Sequence, residues 1–139
     1  MILPRIGDQR RAVVCPEVTR TQIVQFAGAT GDLSPLHVDE PAAMELGYPS
    51  VMAHGMLTMA VTGSLLTEWW GDDRLTAFGA RFLASVWPGD ELTAVAVVTA
   101  VREARPGSCV DLQLTTTNQS GVVVLTGTAT VRMLEPVGE

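Results

Sequence analysis

The pattern of hydrophobic and polar residues divides the chain into a helical first half and a stranded second half. Near the start, alternation over residues 11–18 predicts a short strand. An apolar run at helical spacing follows, and Thr19 and Gln22 precede it with the spacing of a capping box. We therefore expect a helix from about Thr19 to Ala29, which Gly31 ends.

Two more helices are predicted in the first half, with the loop TGDLSPLH before them. Asp39 can cap a short helix that runs through Leu46 and ends at Gly47. The segment from Ala53 to Trp70 is too long for a strand and is apolar on nearly every face. Such a pattern is typical of a helix that is buried on all sides.

The second half is rich in β-branched residues and predicts four strands in an antiparallel meander, over residues 75–87, 91–103, 109–118 and 122–134. Turn sequences separate them at Pro88–Asp90, Pro106–Ser108 and Gln119–Gly121. A long apolar helix needs a curved sheet around it. We therefore expect one α+β domain over residues 1–139, with an antiparallel sheet wrapped around the central helix.

Composition and charge narrow the classes of protein that this chain represents. Hydrophobic residues make up 47% and charged residues 17%, which argues against a disordered chain. The net charge of −6 provides no basic surface for nucleic acid. Cys15 and Cys109 lie far apart without a neighbouring Cys/His cluster, so we interpret them as buried thiols of a cytosolic protein.

Two segments bear on the location of the protein. Pro4, Arg5 and Asp8 interrupt the start of the chain, so it lacks the apolar core of a usual secretion signal. The most apolar window, Val51 to Leu66, is shorter than the roughly 18 residues that a membrane span needs. We expect a cytoplasmic protein that binds neither membranes nor nucleic acid.

The loop TGDLSPLH carries the strongest candidate chemistry. Asp32 and His37 are an acid and an imidazole that titrates near neutrality, and such a pair can share a proton in general acid–base catalysis. The alternative is a solvated turn with a chance histidine. Asp39 is better explained as a helix cap, and His54 as a residue that bonds the turn before the long helix. No spacing of the HxxxH type supports a metal site, and we expect none.

Two stretches together, FAGATGDLSPLHVDEPAA at residues 26–43 and AHGMLTM at residues 53–59, resemble the hotdog-fold MaoC-like dehydratases. The later ARFLASVWPGDELTA is similar to the strand–turn–strand of the same family, and TEWWGD to its small actinobacterial dehydratase subunits. The resemblance implies a hotdog fold. It also implies reversible hydration of trans-2-enoyl thioesters of CoA or acyl-carrier protein to (R)-3-hydroxyacyl thioesters, without a cofactor.

The resemblance also implies roles for individual residues. Asp32 and His37 would contact one catalytic water, with water and proton added to the same face of the substrate. If the long helix starts near His54, the amide of Gly55 is free of intrahelical partners and can bind the thioester oxygen. We therefore name Asp32, His37 and Gly55 as the catalytic residues.

Five further residues are expected around the substrate: Ser34, His54, Met56, Gly63 and Ser64. Ser34 stands where the family usually has Asn, and serine can also shape such a turn. Gly63 stands where some hydratases carry a serine, with Ser64 as its neighbour. We expect the space beside Gly63 to hold either a water molecule or a bulkier acyl group, and we favour the acyl group.

Three alternative functions remain open. The chain can be the catalytic subunit of a hetero-oligomeric 3-hydroxyacyl-ACP dehydratase, since it carries both Asp32 and His37. A non-catalytic acyl-thioester-binding hotdog protein is the second, and a hotdog thioesterase is the third, although GDLSPLH resembles the hydratase signature. By resemblance, and because a single hotdog layer leaves a sheet edge uncovered, we expect a homodimer or a heterodimer with another hotdog subunit.

Overall fold

The computed structural model describes residues 4–103 and 107–133. Five strands and four helices follow one another along the chain: β1 (Gln9–Cys15), α1 (Arg20–Thr30), α2 (Pro35–Val38), α3 (Glu40–Glu45), α4 (Gly55–Trp70), β2 (Leu75–Phe82), β3 (Leu92–Glu103), β4 (Ser108–Thr117) and β5 (Val123–Met133). Pro106 of the second predicted turn and Leu134 of the last predicted strand lie outside the described residues.

The local signals for the first helices are confirmed. Thr19 accepts a hydrogen bond from the amide of Gln22, whose side chain accepts one from the amide of Thr19, so the predicted capping box is present. Gly31 ends α1 in the left-handed conformation at φ 76°. The side chain of Asp39 caps α3. The short helix α2 was not predicted, because its four residues carry too little periodic pattern.

The five strands form one antiparallel sheet in the order β1-β3-β4-β5-β2. The predicted meander of four strands is therefore wrong in one pairing, because β2 pairs with β5 instead of β3. After Phe82 the chain leaves the sheet and crosses from one side to the other before β3 begins. Turn sequences mark where strands end, but they do not determine which strands pair, and here the linker spans the sheet.

Helix α4 packs along the inner face of this sheet. Its buried residues, Thr58, Thr62, Leu65 and Leu66, form one stripe, and the hydroxyl groups of Thr62 and Thr116 share a buried hydrogen bond of 2.7 Å. The expected burial on all sides is wrong, since Met56, Ala60 and Glu68 are exposed. Of the apolar residues outside the stripe, Trp69 and Trp70 pack against the core, whereas Met56 and Ala60 line a cavity.

Alternating residues of β3, β4 and β5 complete the core around Leu65 and Leu66. The predicted α+β architecture, with a sheet wrapped around one long helix, is confirmed. No helix within the described ranges has both the length and the apolar character needed to cross a membrane.

Candidate active site

The segment between α1 and α3 carries Asp32 and His37 to the start of α4. The amide of Asp32 donates to the hydroxyl of Thr30, and the amide of Ser34 donates to Asp32 Oδ1 at 3.4 Å. Pro35 stands in the first turn of α2, where its fixed φ suits a helix start. These local contacts hold the Asp32 side chain while one turn of helix places His37 beside it.

Asp32 and His37 face each other, with 3.8 Å between Asp32 Oδ2 and His37 Nε2. On the other side of the ring, Nδ1 lies 2.7 Å from the carbonyl oxygen of Met52. Because a carbonyl only accepts, Nδ1 carries a proton in this contact, and Nε2 faces Asp32. A water beside these two atoms can hydrogen-bond to both, at about 2.8 Å from each.

His54, the residue before α4, contacts both members of this pair. Its ring is 3% exposed, and its Nε2–H donates to the backbone carbonyl of Asp32 at 3.0 Å. The ring also stacks on that of His37, with 3.7 Å between the centroids and 22° between the planes. On its other side lies Phe26, at a centroid distance of 4.9 Å.

The start of α4 offers free amides next to the pair. The carbonyl of His54 accepts from the amides of Leu57 and Thr58, but within the described chain the amides of Gly55 and Met56 have no hydrogen-bond partner. They point out of the helix N-terminus, where the helix dipole is positive. This end of α4 can therefore bind an oxygen atom that gathers negative charge.

A cavity of about 540 Å³ joins these groups. Asp32, His37, His54 and Gly55 lie at its polar end. Most of its remaining wall is apolar, formed by Phe26, Met56, Met59, Ala60, Phe78 and Phe82. The arrangement suits a molecule that has a reactive carbonyl at one end and a hydrocarbon chain at the other.

Three residues expected around the substrate lie outside the lining of this cavity. Ser34 caps α2 with its backbone, and its side chain makes no capping bond. The hydroxyl of Ser64 donates to the carbonyl of Val61 within α4. A Cβ at Gly63 would lie 3.0 Å from the ring of Phe78, so this ring occupies the space in which we expected water or an acyl group.

Sequence reasoning missed the two phenylalanines of β2. Phe78 and Phe82 lie four residues apart on a strand, which places them on the same face, and both line the cavity. Phe82 packs over Gly55, where a Cβ would come within 2.8 Å of its ring. The alternation of β2 was a usable signal, but only the position of α4 tells which face meets the site.

The site does not suit a metal ion. One ligand atom each from Asp32, His37 and His54 lies within 4.8 Å of the others. However, the Nε2–H of His54 donates to the carbonyl of Asp32, and the Nδ1–H of His37 donates to that of Met52. Because His54 Nδ1 is itself buried, only the Asp32 carboxylate and His37 Nε2 then remain as accessible ligands, which is fewer than the three or four that zinc usually takes.

A second cavity of about 320 Å³ lies behind Phe26, which lines both. Cys15, Gln22 and Gln25 contribute its polar atoms. Burial raises the pKa of the Cys15 thiol, so the reactive thiolate is disfavoured there. Cys15 thus behaves as a core residue, as the sequence suggested.

Comparison with known proteins decides the family. The family model described as MaoC like domain matches residues 2–120. The chain belongs to the MaoC-like family. The fold and family predicted from the sequence are thereby confirmed.

Several relatives within the MaoC-like family are named as hydratases or dehydratases. The (R)-specific enoyl-CoA hydratase of Rhodospirillum rubrum is 31% identical over 133 residues, which cover 91% of this chain and 87% of the relative. The solved structure of the (R)-hydratase from A. caviae involved in PHA biosynthesis has a TM-score of 0.83 at 28% identity, covering 94% of this chain and 97% of that one. The predicted enzyme class, a hydro-lyase, is thus confirmed at the level of the family.

The MaoC-like fold is also that of a chain in the C-terminally truncated HadBC complex, a 3R-hydroxyacyl-ACP dehydratase from Mycobacterium tuberculosis. It has a TM-score of 0.73 at 21% identity, and the match covers 92% of this chain and 96% of that chain. At this identity the comparison concerns the fold alone.

Proposed function

We propose that this protein catalyses the reversible hydration of trans-2-enoyl thioesters to (R)-3-hydroxyacyl thioesters. The observation that carries the proposal is the position of the Asp32–His37 pair beside the free amides of α4, at the polar end of an apolar cavity. The names of the related enzymes agree with this reaction. The acyl group of the substrate would be linked as a thioester to CoA or to an acyl-carrier protein.

In the proposed reaction, the thioester oxygen accepts a hydrogen bond from the amide of Gly55. This bond stabilises the enolate-like charge that develops when water attacks C3, and one such donor is typically worth about 3 kcal/mol of barrier. Because the amide belongs to a helix N-terminus, its orientation is fixed before the substrate arrives. Phe82 packs over Gly55 beside this contact.

Asp32 and His37 handle the protons as one unit. The attacking water lies between them, and the pair takes one of its protons as the oxygen bonds to C3. The pair then delivers one proton to C2, so that it ends the cycle in its starting state. Addition of both groups from the side of the pair gives the same-face stereochemistry, and the face of the double bond that is bound towards the pair sets the (R) configuration at C3.

The site is open in the single chain, which supports a partner subunit. The Asp32 side chain is 54% exposed, and beside the start of α4 Met56, Phe82 and Leu83 are 56%, 48% and 56% exposed. A second hotdog subunit over this surface would bury the apolar side chains and exclude water from the site. We propose a homodimer or a heterodimer in which this chain contributes the catalytic pair.

A hetero-oligomeric dehydratase is the second candidate, and the fold shared with a chain of the HadBC complex supports it. In that case the chain alone turns over slowly, and a partner subunit restores the rate. A non-catalytic acyl-binding protein and a thioesterase are the remaining alternatives.

Two simultaneous measurements with crotonyl-CoA, of enoyl absorbance and of free thiol, distinguish these candidates. Loss of enoyl absorbance without release of free thiol indicates hydration, and thiol release indicates a thioesterase. Binding without either indicates an acyl-binding protein. His37→Ala is the control, because the proposed hydration, and not binding, depends on it.

A further inference from the structure

Among the five polar residues that are buried in the described chain, His54 has a buried nitrogen without a hydrogen-bond partner, which elsewhere in the described residues only Trp70 Nε1 and Arg132 Nε share. Thr62 and Thr116 bond to each other, and Asp90 accepts from the amide of Trp87 and the side chain of Gln119. The Nδ1 atom of His54 is buried without any hydrogen-bond partner. An unpartnered buried polar atom costs stability, so packing alone does not favour histidine at this position.

The start of α4 does not require a histidine either. His54 is the N-cap residue, but its side chain makes no capping hydrogen bond. Serine, threonine or asparagine would satisfy a free amide there and would be better caps. The contacts of the His54 ring lie instead on the side that faces Asp32 and His37.

The side chain of His54 contacts both members of the proposed catalytic pair. The Nε2–H of His54 holds the backbone of Asp32 at 3.0 Å, and the ring lies flat against that of His37 at 3.7 Å. Since His37 also donates from Nδ1 to Met52, the stack and this bond together fix the plane of its ring. His37 Nε2 then faces Asp32 in one fixed orientation.

His54 is also the residue directly before Gly55. The pair is held by an element that continues into the amide proposed to bind the thioester oxygen. Proton transfer to C2 needs these groups at a fixed distance from one another, and an error of about 1 Å can cost on the order of 100-fold in rate.

We infer that His54 is a positioning residue, which holds Asp32 through its hydrogen bond and His37 through its stacked ring, in register with the Gly55 amide. This inference rests on the proposed hydratase function. It assigns His54 no proton transfer of its own, because its Nε2–H is engaged with the carbonyl of Asp32 and its Nδ1 is buried.

Two variants separate the contacts. His54→Phe keeps a ring against His37 and loses the hydrogen bond, whereas His54→Asn keeps an amide donor and loses the stack. We expect each to lower kcat about 10- to 100-fold with KM changed less than about threefold, since positioning acts on the chemical step. Thr67→Ala, on the same helix and away from the cavity, is the control and should leave kcat unchanged.

A double-mutant cycle with His37→Ala distinguishes positioning from a merely structural role. If His54 acts on His37 through the stack, then adding His54→Asn, which removes the stack, to His37→Ala should change the rate less than about threefold. A full additional loss, or kcat unchanged in both single variants, would overturn the inference.

The histidine rings can also be observed without turnover. The chain has two histidines, so in either untagged variant of His54 the only imidazole is that of His37. Nitrogen-15 spectra of the wild type should show His37 with its proton on Nδ1, and His54→Asn, which loses the stack, should show a mixture of tautomers. An unchanged His37 signal in His54→Asn contradicts positioning. Absence of hydration by the wild type contradicts the proposed function instead, while this spectrum still tests the contact.

Discussion

The ring of Phe78 lies against Gly63, so closely that a Cβ at this glycine would come 3.0 Å from Phe78 Cε1. The absence of a side chain at Gly63 therefore lets an aromatic ring from β2 approach the backbone of α4. Because Phe78 also lines the cavity, its ring forms the wall that lies farthest along α4 from the free amides. The far wall is the part of the cavity that limits the length of an acyl chain.

Shortening Phe78 should change the preference for acyl length. Phe78→Leu removes part of the wall, and we expect kcat/KM for enoyl-CoAs of eight or more carbons to rise about 5- to 10-fold relative to crotonyl-CoA. Gly63→Ser acts in the opposite direction, because the added side chain pushes the ring into the cavity. An assay across a series of chain lengths measures both, and parallel changes at all lengths would contradict this role of the wall.

We expect the losses of rate in variants of the catalytic pair to be non-additive. Asp32→Asn and His37→Ala should each lower the rate by about 100- to 10,000-fold, the range for a lost acid or base. Since the two groups serve one proton-transfer unit, the double variant should be little worse than the worse single variant. Rates measured on one enoyl-CoA test this, and a double variant with the product of the two losses would show that the groups work independently.

The backbone amide of Gly55 can be removed by substitution. Proline is favoured at the first helical position, and His54 has φ −61° and ψ 140°, a conformation that suits a residue before proline. Gly55→Pro deletes the N–H, whereas the matched Gly55→Ala keeps it. Both variants place a Cβ against the ring of Phe82, so their comparison isolates the amide.

We expect kcat of Gly55→Pro to be about 100- to 1,000-fold lower than that of Gly55→Ala, the usual effect of losing one oxyanion donor. Circular dichroism should show equal helix content in the two proteins. Equal kcat values in two folded variants would mean that the oxygen of the substrate binds elsewhere.

Away from the site, the contacts of Asp111 should make the free energy of unfolding depend on pH. Its carboxylate accepts two hydrogen bonds of 2.8 Å from Arg102, and Thr130 donates to it as well. These bonds lower the pKa of Asp111 below its ordinary value. A lowered pKa contributes stability that is present above the unfolded-state value of about 3.9 and is lost as the pH falls through the folded-state value.

The variant Asp111→Asn should therefore unfold more easily than the wild type near pH 6, and the difference should shrink below about pH 4. Because the pair is partly exposed, the effect should be small and should weaken in high salt. Thermal unfolding measured between pH 3 and pH 7 tests this, and a difference that grows towards low pH would have the wrong sign.

Local features of the chain were predictable because they depend on neighbouring residues. The capping box of Thr19 and Gln22 is a spacing of three residues, and the long helix is visible as one long, largely apolar segment. Asp32 and His37 lie five residues apart in one turn, so their proximity also follows from the local sequence.

Features that join distant segments were not predictable from the same patterns. The pairing of β2 with β5 spans about fifty residues, and no turn sequence encodes it. The contact of Phe78 with Gly63 depends on that pairing, because it fixes where β2 passes α4. The stack of His54 on His37 likewise needs two elements to meet, although each histidine was singled out separately.

The most direct test of the account is the product formed from crotonyl-CoA, analysed on a chiral column together with the rate of its formation. We predict 3-hydroxybutyryl-CoA of the (R) configuration, formed by the wild type, alone or with a hotdog partner subunit, and reduced at least 100-fold by His37→Ala. An (S) product, thioester hydrolysis without hydration, or a wild-type rate in His37→Ala would contradict it.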